Sequence, residues 1–342
     1  VARYPVGDIF PKAWDPDAQP DQWARVRDIV AEHAPERIAL NISEDVALAS
    51  GLSHSQYAGL SAALPDYRDR FVSGERLAVG WLETRTAPEM ATYPTLVRIA
   101  HAIIAEGLSE RAITVGVTTP DDLAWWFRDR VNALGLDVWF HPSVNVQRSG
   151  EAVFAIETMA DSENQPIRPG DFLHVDFGIT YLGLNTDTQH HAYVLKPGET
   201  QAPQGLRDGL AAANRVQDRL LDAFKTGRTG DAVLQAARQA ALDEGLDPTI
   251  YSHPLGYHGH GAGPSIGLWD RQDAVPGSGG LPLRADTAWS IELNAKAAVA
   301  EWGGQTVRFM TEEDAFFDGD SVHYLDGRQT RLHLVPRQPD RP

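Results

Sequence analysis

Apolar residues along the chain recur at two spacings, and each spacing predicts an element. Helical spacing over residues 22–30 puts Trp23, Val26, Ile29 and Val30 on one face. A second helix is expected from Ser53 to Leu64, with Ser53 placed to cap it. Between the two, Ile38-Ala39-Leu40-Asn41-Ile42 predicts a strand. Pro88-Glu89 opens a longer helix that runs through Leu96, Ile99, Ile103 and Ile104 to Gly107. Thr119, Pro120 and the acids Asp121 and Asp122 then form a strong helix start, since a hydroxyl cap, a proline and negative charge all suit the positive helix end. That helix carries Leu123, Trp126, Phe127, Val131 and Leu134 and stops at Gly135, before a predicted strand Val138-Trp139-Phe140-His141. A similar unit opens at Gly227 and closes at Gly245. Both closing glycines are followed by Leu-Asp, a strand and a His-Pro pair, His141-Pro142 and His253-Pro254. The pattern predicts an internal duplication, with a site at the junction of the halves.

The most informative stretch follows the turn Arg168-Pro169-Gly170. Phe172, Leu173, Val175 and Phe177 make an apolar run of strand length, which continues past Gly178 and ends at Tyr193-Val194-Leu195. Two acids, Asp176 and Asp187, lie inside this ribbon. Asp is depleted in strands, and a carboxylate without a partner is costly to desolvate. Either a cation holds the two acids, or both sit at ribbon ends facing water. Two further apolar strands carry acids: Ala288-Trp289-Ser290-Ile291-Glu292-Leu293, and the run from Val307 to Phe317 with Glu312, Glu313 and Asp314. A glycine-rich turn holds His253, His258 and His260. Together these point to a metal site. Oxygen ligands with one imidazole suit Mn²⁺, Co²⁺ or Zn²⁺ better than Ca²⁺.

Composition narrows the classes. The 342 residues suffice for one large domain or two, and 30 basic against 47 acidic residues give a net charge of −17. Such a surface repels nucleic acid and anionic membranes. There is no Cys, which excludes disulfides, thiolate metal sites and a Cys nucleophile. No apolar run approaches the roughly 18 residues of a membrane span, and no signal peptide is visible. The expected compartment is cytoplasmic, or exported should a leader have been removed before Val1.

The order Asp176, Asp187, His253, Glu292, Glu312 resembles the five-ligand dinuclear site of the pita-bread metallopeptidases, which include Xaa-Pro aminopeptidase, prolidase and methionine aminopeptidase. The 11-residue gap between the two aspartates is the spacing of that family. His253-Pro254-Leu255-Gly256, with His260 seven residues after the first His, resembles its His-x-x-Gly…His element. The similarity runs from about Val79 to Val335, with Arg85-Thr86-Ala87-Pro88-Glu89 as the domain entry. It implies an α+β pita-bread (creatinase/aminopeptidase) fold with pseudo-two-fold α/β halves over residues 79–342, preceded by a partial creatinase-like α/β domain over 1–78. It also implies Xaa-Pro aminopeptidase or dipeptidase action on short peptides through two divalent ions, Mn²⁺ first and Co²⁺ or Zn²⁺ as substitutes. In that scheme Asp187 and Glu312 bridge the ions, Asp176 chelates one, and His253 and Glu292 hold the other. A water between the ions becomes hydroxide, Glu292 accepts its proton, and His260 stabilises the oxyanion or passes a proton. A homodimer is compatible with the resemblance.

Several positions depart from the family pattern. Its Asp-x-Thr-Arg reads Asp187-Thr188-Gln189-His190, its Glu-Pro-Gly reads Glu292-Leu293-Asn294, and the extra His of proline-specific members is replaced by Thr249. His141 and His258 are read as structural rather than as pocket residues. The family's glutamate lies two residues after a strand Arg, yet Arg308 plus two is Met310. Alternation puts Arg308, Met310 and Glu312 on one face and Glu313 on the other, favouring Glu312 as the fifth ligand unless a bulge intervenes. Three rivals stay open: a creatinase-like hydrolase of a non-peptide C–N bond, a non-catalytic binding module, and a mononuclear zinc site at His258-Gly259-His260.

Overall fold

The computed structural model describes residues 12–151 and 164–338. Its contacts divide the chain into two compact units, Val1–Val79 and Gly80–Pro342. In the first, α1 (Gln22–His33) starts at Asp21, whose side chain accepts a hydrogen bond from the Trp23 backbone N–H. Strand β1 (Ile38–Leu40) ends two residues short of the expected Ile42. Helix α2 (His54–Ala63) begins with a reciprocal capping box between Ser53 and Gln56. Strand β2 (Phe71–Ser73), which has no clear sequence signature, pairs parallel to β1 with Phe71 opposite Ile38. The short α3 (Glu75–Glu83) follows.

The second unit opens with α4 (Ala87–Gly107), started by a capping box between Thr86 and Glu89, and α5 (Pro120–Ala133), started by one between Thr119 and Asp122. Each cap is worth about 1 kcal/mol. The predicted strand at Val138 to His141 does not form. Trp139 there donates its indole N–H to the Thr186 carbonyl (2.9 Å), and its ring packs where Gly178 and Gly259 leave room, so side-chain anchoring replaces strand pairing. The strand begins later, as β3 (Ser143–Gln147). It pairs antiparallel with β4 (Phe172–Phe177).

Alternation along β4 gives it two functions. Leu173, Val175 and Phe177 enter the core shared with α4 and α5, while His174 and Asp176 turn to the opposite face. A two-strand ribbon, β5 (Thr180–Tyr181) and β6 (Leu184–Asn185), leads to β7 (Thr188–Val194), which pairs with β4. Two packed helices come next, α6 (Gln204–Ala223) and α7 (Gly230–Asp243).

Three strand pairs complete the unit, and each pair is a broken strand. They are β8 (Pro248–Ile250) with β9 (His253–Leu255), β10 (Thr287–Ser290) with β11 (Leu293–Val299), and β12 (Gln305–Thr311) with β13 (Asp314–Phe317). Strands β8, β11 and β12 form one sheet, whereas β9, β10 and β13 join β14 (Val322–Tyr324) in another. The breaks fall at 251–252, 291–292 and 312–313, so the two acid-bearing runs that read as continuous strands each change sheet at the acid. Strand β15 (His333–Val335) covers the outer edge of β7.

The unit has two like halves, although the helix–strand repeat read from the sequence is not kept in detail, because its first strand, Val138 to His141, does not form. A helix pair precedes strands ordered β3-β4-β7 in one half, and a second helix pair precedes β8-β11-β12 in the other. An isolated bridge between Gln189 of β7 and Glu312, just past β12, joins the halves at their middle. Gly178, just after β4, is tight: a Cβ there would lie 2.1 Å from the Thr186 carbonyl oxygen and 2.7 Å from the Trp139 indole nitrogen. Gly178→Ala is expected to destabilise the protein by about 1–3 kcal/mol through overpacking. A urea midpoint unchanged from wild type would contradict that packing.

A candidate metal centre

All five ligands expected from the sequence come together, and each lies at a strand end or break. Asp176 is near the end of β4, Asp187 precedes β7, His253 opens β9, Glu292 lies between β10 and β11, and Glu312 lies between β12 and β13. His253 Nε2 is 3.7 Å from Asp187 Oδ2, 3.8 Å from Glu292 Oε2 and 3.7 Å from Glu312 Oε1. Ligand atoms of Asp176, Asp187 and Glu312 lie within 4.8 Å of one another, as do those of His253, Glu292 and Glu312. Two adjacent ligand sets therefore share Glu312.

These side chains are arranged to hold cations. His253 Nδ1 lies 3.1 Å from the Pro254 carbonyl oxygen, to which it donates its proton, leaving the lone pair on Nε2. Nε2 is buried and has no hydrogen-bond partner among the described residues, and neither has Asp176 Oδ1. Separations of 3.7–3.8 Å are too long for hydrogen bonds but match atoms ringed about 2 Å from a shared ion. The electrostatics agree. Burial, and then the charge of neighbouring carboxylates, pushes Asp176, Asp187 and Glu292 well above the usual carboxylate range. Burial raises Glu312 to about 7, against hydrogen bonds from Ser290 and Gln189. Burial also lowers His253 to about 3, which keeps the imidazole neutral and able to ligate.

A residue that stands out in the sequence only as a departure from the family pattern organises the cluster. Gln189 donates through Nε2 to Glu292 Oε1 and to Glu312 Oε2, both at 2.8 Å. Its Oε1 accepts from His174 Nε2 at 2.9 Å, and His174 Nδ1 faces Asn145 Nδ2 at 3.4 Å. The amide thus occupies one oxygen of each glutamate, while the other oxygens, Glu292 Oε2 and Glu312 Oε1, face His253. Ser290 Oγ also donates to Glu312 Oε1. The available signal was period two: His174 shares a face with Asp176, and Gln189 lies two residues after Asp187.

The other candidates lie around this centre. His260 is exposed, with its ring 4.6 Å from that of His253 and 5.3 Å from that of Trp139, and its ligand atoms cluster with those of Asp187 and His253. His141 is exposed against Trp125, and His258 packs against Tyr257; neither enters the cluster. Glu313 points away from Glu312, with its carboxylate 3.1 Å from both His101 Nε2 and His190 Nε2. Burial would raise the Glu313 carboxyl, but the facing imidazoles hold it down to about 2. His190 thus provides a partner to Glu313 at the position where the family pattern has Arg.

Residues 95–312, a span that contains all five ligands, match the profile of metallopeptidase family M24. The chain belongs to that family. Among solved structures, X-Pro aminopeptidase from Thermotoga maritima MSB8 is 18% identical with a TM-score of 0.63, over 92% of this chain and 80% of that one. Dipeptidase PepE from Mycobacterium ulcerans is 19% identical with a TM-score of 0.60, over 93% and 76%. Xaa-Pro dipeptidase from Bacillus anthracis is 18% identical with a TM-score of 0.58, over 92% and 78%. At these identities the likeness is one of fold. No curated protein matches the sequence.

Two outcomes are expected of this M24 chain. Gln189→Leu removes the amide that holds both glutamates, and metal affinity measured by calorimetry should fall roughly 10- to 100-fold. Carboxyls raised by burial, Glu312 to about 7 among them, must lose any proton they hold in order to ligate, so metal binding should release protons near neutral pH and weaken as pH falls. Calorimetry in two buffers of different ionisation enthalpy measures that release. A release near zero would contradict the raised carboxyls.

Proposed function

We propose that this protein is a metal-dependent aminopeptidase or dipeptidase of the Xaa-Pro type, acting at the N-terminus of short peptides with two divalent ions, Mn²⁺ first among them. The observation that carries this reading is the convergence of His253 Nε2 and four carboxylates, in which the buried His253 Nε2 and Asp176 Oδ1 find no hydrogen-bond partner among the described residues. Asp176, Asp187 and Glu312 would hold one ion, and His253, Glu292 and Glu312 the other, with Asp187 within reach of both sets. When bound, such ions acidify water and polarise a carbonyl.

The chain's own residues supply the proton handling. Glu292 is partly exposed and lines the cavity beside the cluster, so its carboxylate can accept a proton from water entering there. His260 stands on the solvent side of His253, and partial burial holds it below the usual histidine value. A neutral imidazole at that position can donate its N–H to an oxyanion or pass a proton to the leaving nitrogen. Tyr251 and Trp269 add aromatic surface to the cavity beside the cluster.

The test is activity on Ala-Pro-type and non-proline peptides before and after chelation, with Mn²⁺ restored and metal content counted. Activity should vanish with the metal and return with about two ions per chain. Active protein without metal would overturn the reading. His260→Ala should lower kcat by roughly 10²-fold or more with metal content intact. Asp187→Ala should lose both ions. Glu312→Gln should impair metal binding and Glu313→Gln should spare it, the opposite result meaning that the assignment of the two glutamates is reversed.

A further inference from the structure

His260 is carried on a loop, residues 256–263, that contains neither helix nor strand. Surface loops are commonly mobile, yet this one is fastened at three points. The first is Asn185, which ends β6 and is buried at 5% exposure. Its backbone N–H donates to the Gly256 carbonyl at 2.8 Å. Its side-chain Nδ2 donates to the same carbonyl at 3.0 Å and to the Tyr257 carbonyl at 3.1 Å. The second point is Pro254, whose carbonyl accepts from the Gly261 N–H at 2.8 Å as well as from His253 Nδ1. The third is close packing. A Cβ on Gly259 would lie 2.3 Å from the Trp139 ring, and one on Gly263 would lie 2.5 Å from Glu83 Oε2, so glycine there serves contact rather than motion.

Asn185 is itself held. Its Oδ1 accepts from Thr180 Oγ1 at 2.5 Å across the β5–β6 ribbon, in which the two residues pair. Its carbonyl accepts from the hydroxyl of Tyr93, a buried residue of α4. A turned-over amide would set Oδ1 against two carbonyl oxygens, so the network admits one orientation. The backbone that carries Asn185 leads two residues on to Asp187, whose ligand atoms cluster with those of His253 and His260. One short segment therefore fixes the His260 loop and supplies a ligand beside it.

Building on the proposed peptidase reading, we infer that Asn185 is a positioning residue for the reaction. It acts through His260, by spending both of its amide protons on the loop that carries that imidazole. His260 then stands at the metal centre before substrate arrives, and no loop closure is needed to bring it there.

The test uses the Mn²⁺-loaded full chain and two substitutions. Asn185→Asp keeps the shape and the acceptor but has no N–H for the loop, and Thr180→Val removes only the hydroxyl that orients the amide. Asn185→Asp should lower kcat on Ala-Pro-type peptides roughly tenfold or more with KM little changed, and Thr180→Val should act in the same direction to a smaller extent. In a His260→Ala background neither substitution should cost further turnover, because the group they position is gone. Backbone hydrogen exchange of residues 256–261 should speed up by at least about tenfold in Asn185→Asp, while that of β4 and β7 stays as in wild type. Wild-type kcat in Asn185→Asp, a loss of equal size with and without His260, or unchanged exchange in the loop would overturn the inference. Should Asn185→Asp fail to fold, Thr180→Val is held to the same criteria. Should no peptide be turned over, the peptidase reading fails by itself, and loop exchange alone then decides whether Asn185 fixes His260.

Discussion

The interaction on which the second unit depends is the mutual repulsion of Asp176, Asp187, Glu292 and Glu312 around a neutral imidazole. Buried carboxylates at such separations cannot all ionise without a compensating charge. In the chain alone, protons and the Gln189 amide provide part of that compensation. Divalent ions would provide the rest, so this corner of the fold is unfavourable without them and its chemistry depends on binding them. The surrounding β-structure supplies the rigidity that keeps like charges together.

That rigidity comes from how the strands are broken. Each of the three C-terminal strand runs changes sheet at the same level, and His253, Glu292 and Glu312 sit at or beside the breaks. An uninterrupted strand would send alternate side chains to opposite faces along one plane. A break lets a carboxylate point into the junction while its neighbours remain paired. Ile291 N–H donates to the Glu313 carbonyl and Tyr251 N–H to the Glu292 carbonyl, so hydrogen bonding of the backbone continues across the breaks.

Much of this was legible in the residues. Alternation alone separates Leu173, Val175 and Phe177 from His174 and Asp176, and it likewise separates Glu312 from Glu313. The helix starts at Ser53 and Thr119 were readable as caps because capping is local chemistry. The strand breaks were not legible, since 288–293 and 307–317 are apolar enough to read as single strands and the change of sheet is a tertiary event. The strand expected at Val138 failed for a related reason: Trp139 is anchored by Thr186, 47 residues away, through a contact that no local pattern encodes. Gln189 was legible only as a departure from the family pattern, because an amide in a strand shows no role until its two acceptors are known.

The centre is also dispersed along the chain. Its ligands begin at Asp176 and end at Glu312, and the bridge that joins the two halves uses Gln189 from one and Glu312 from the other. A polypeptide growing from its N-terminus carries only the two aspartates until the later strands have emerged from the ribosome. Such a fragment lacks His253, Glu292 and Glu312, and with them most of the ligand set. Tight metal uptake therefore reports that both halves have docked in register, and long sequence separations of this kind make that docking a late and slow event in folding. A newly made molecule with misregistered halves would fail to load and would carry no hydrolytic activity among its neighbours.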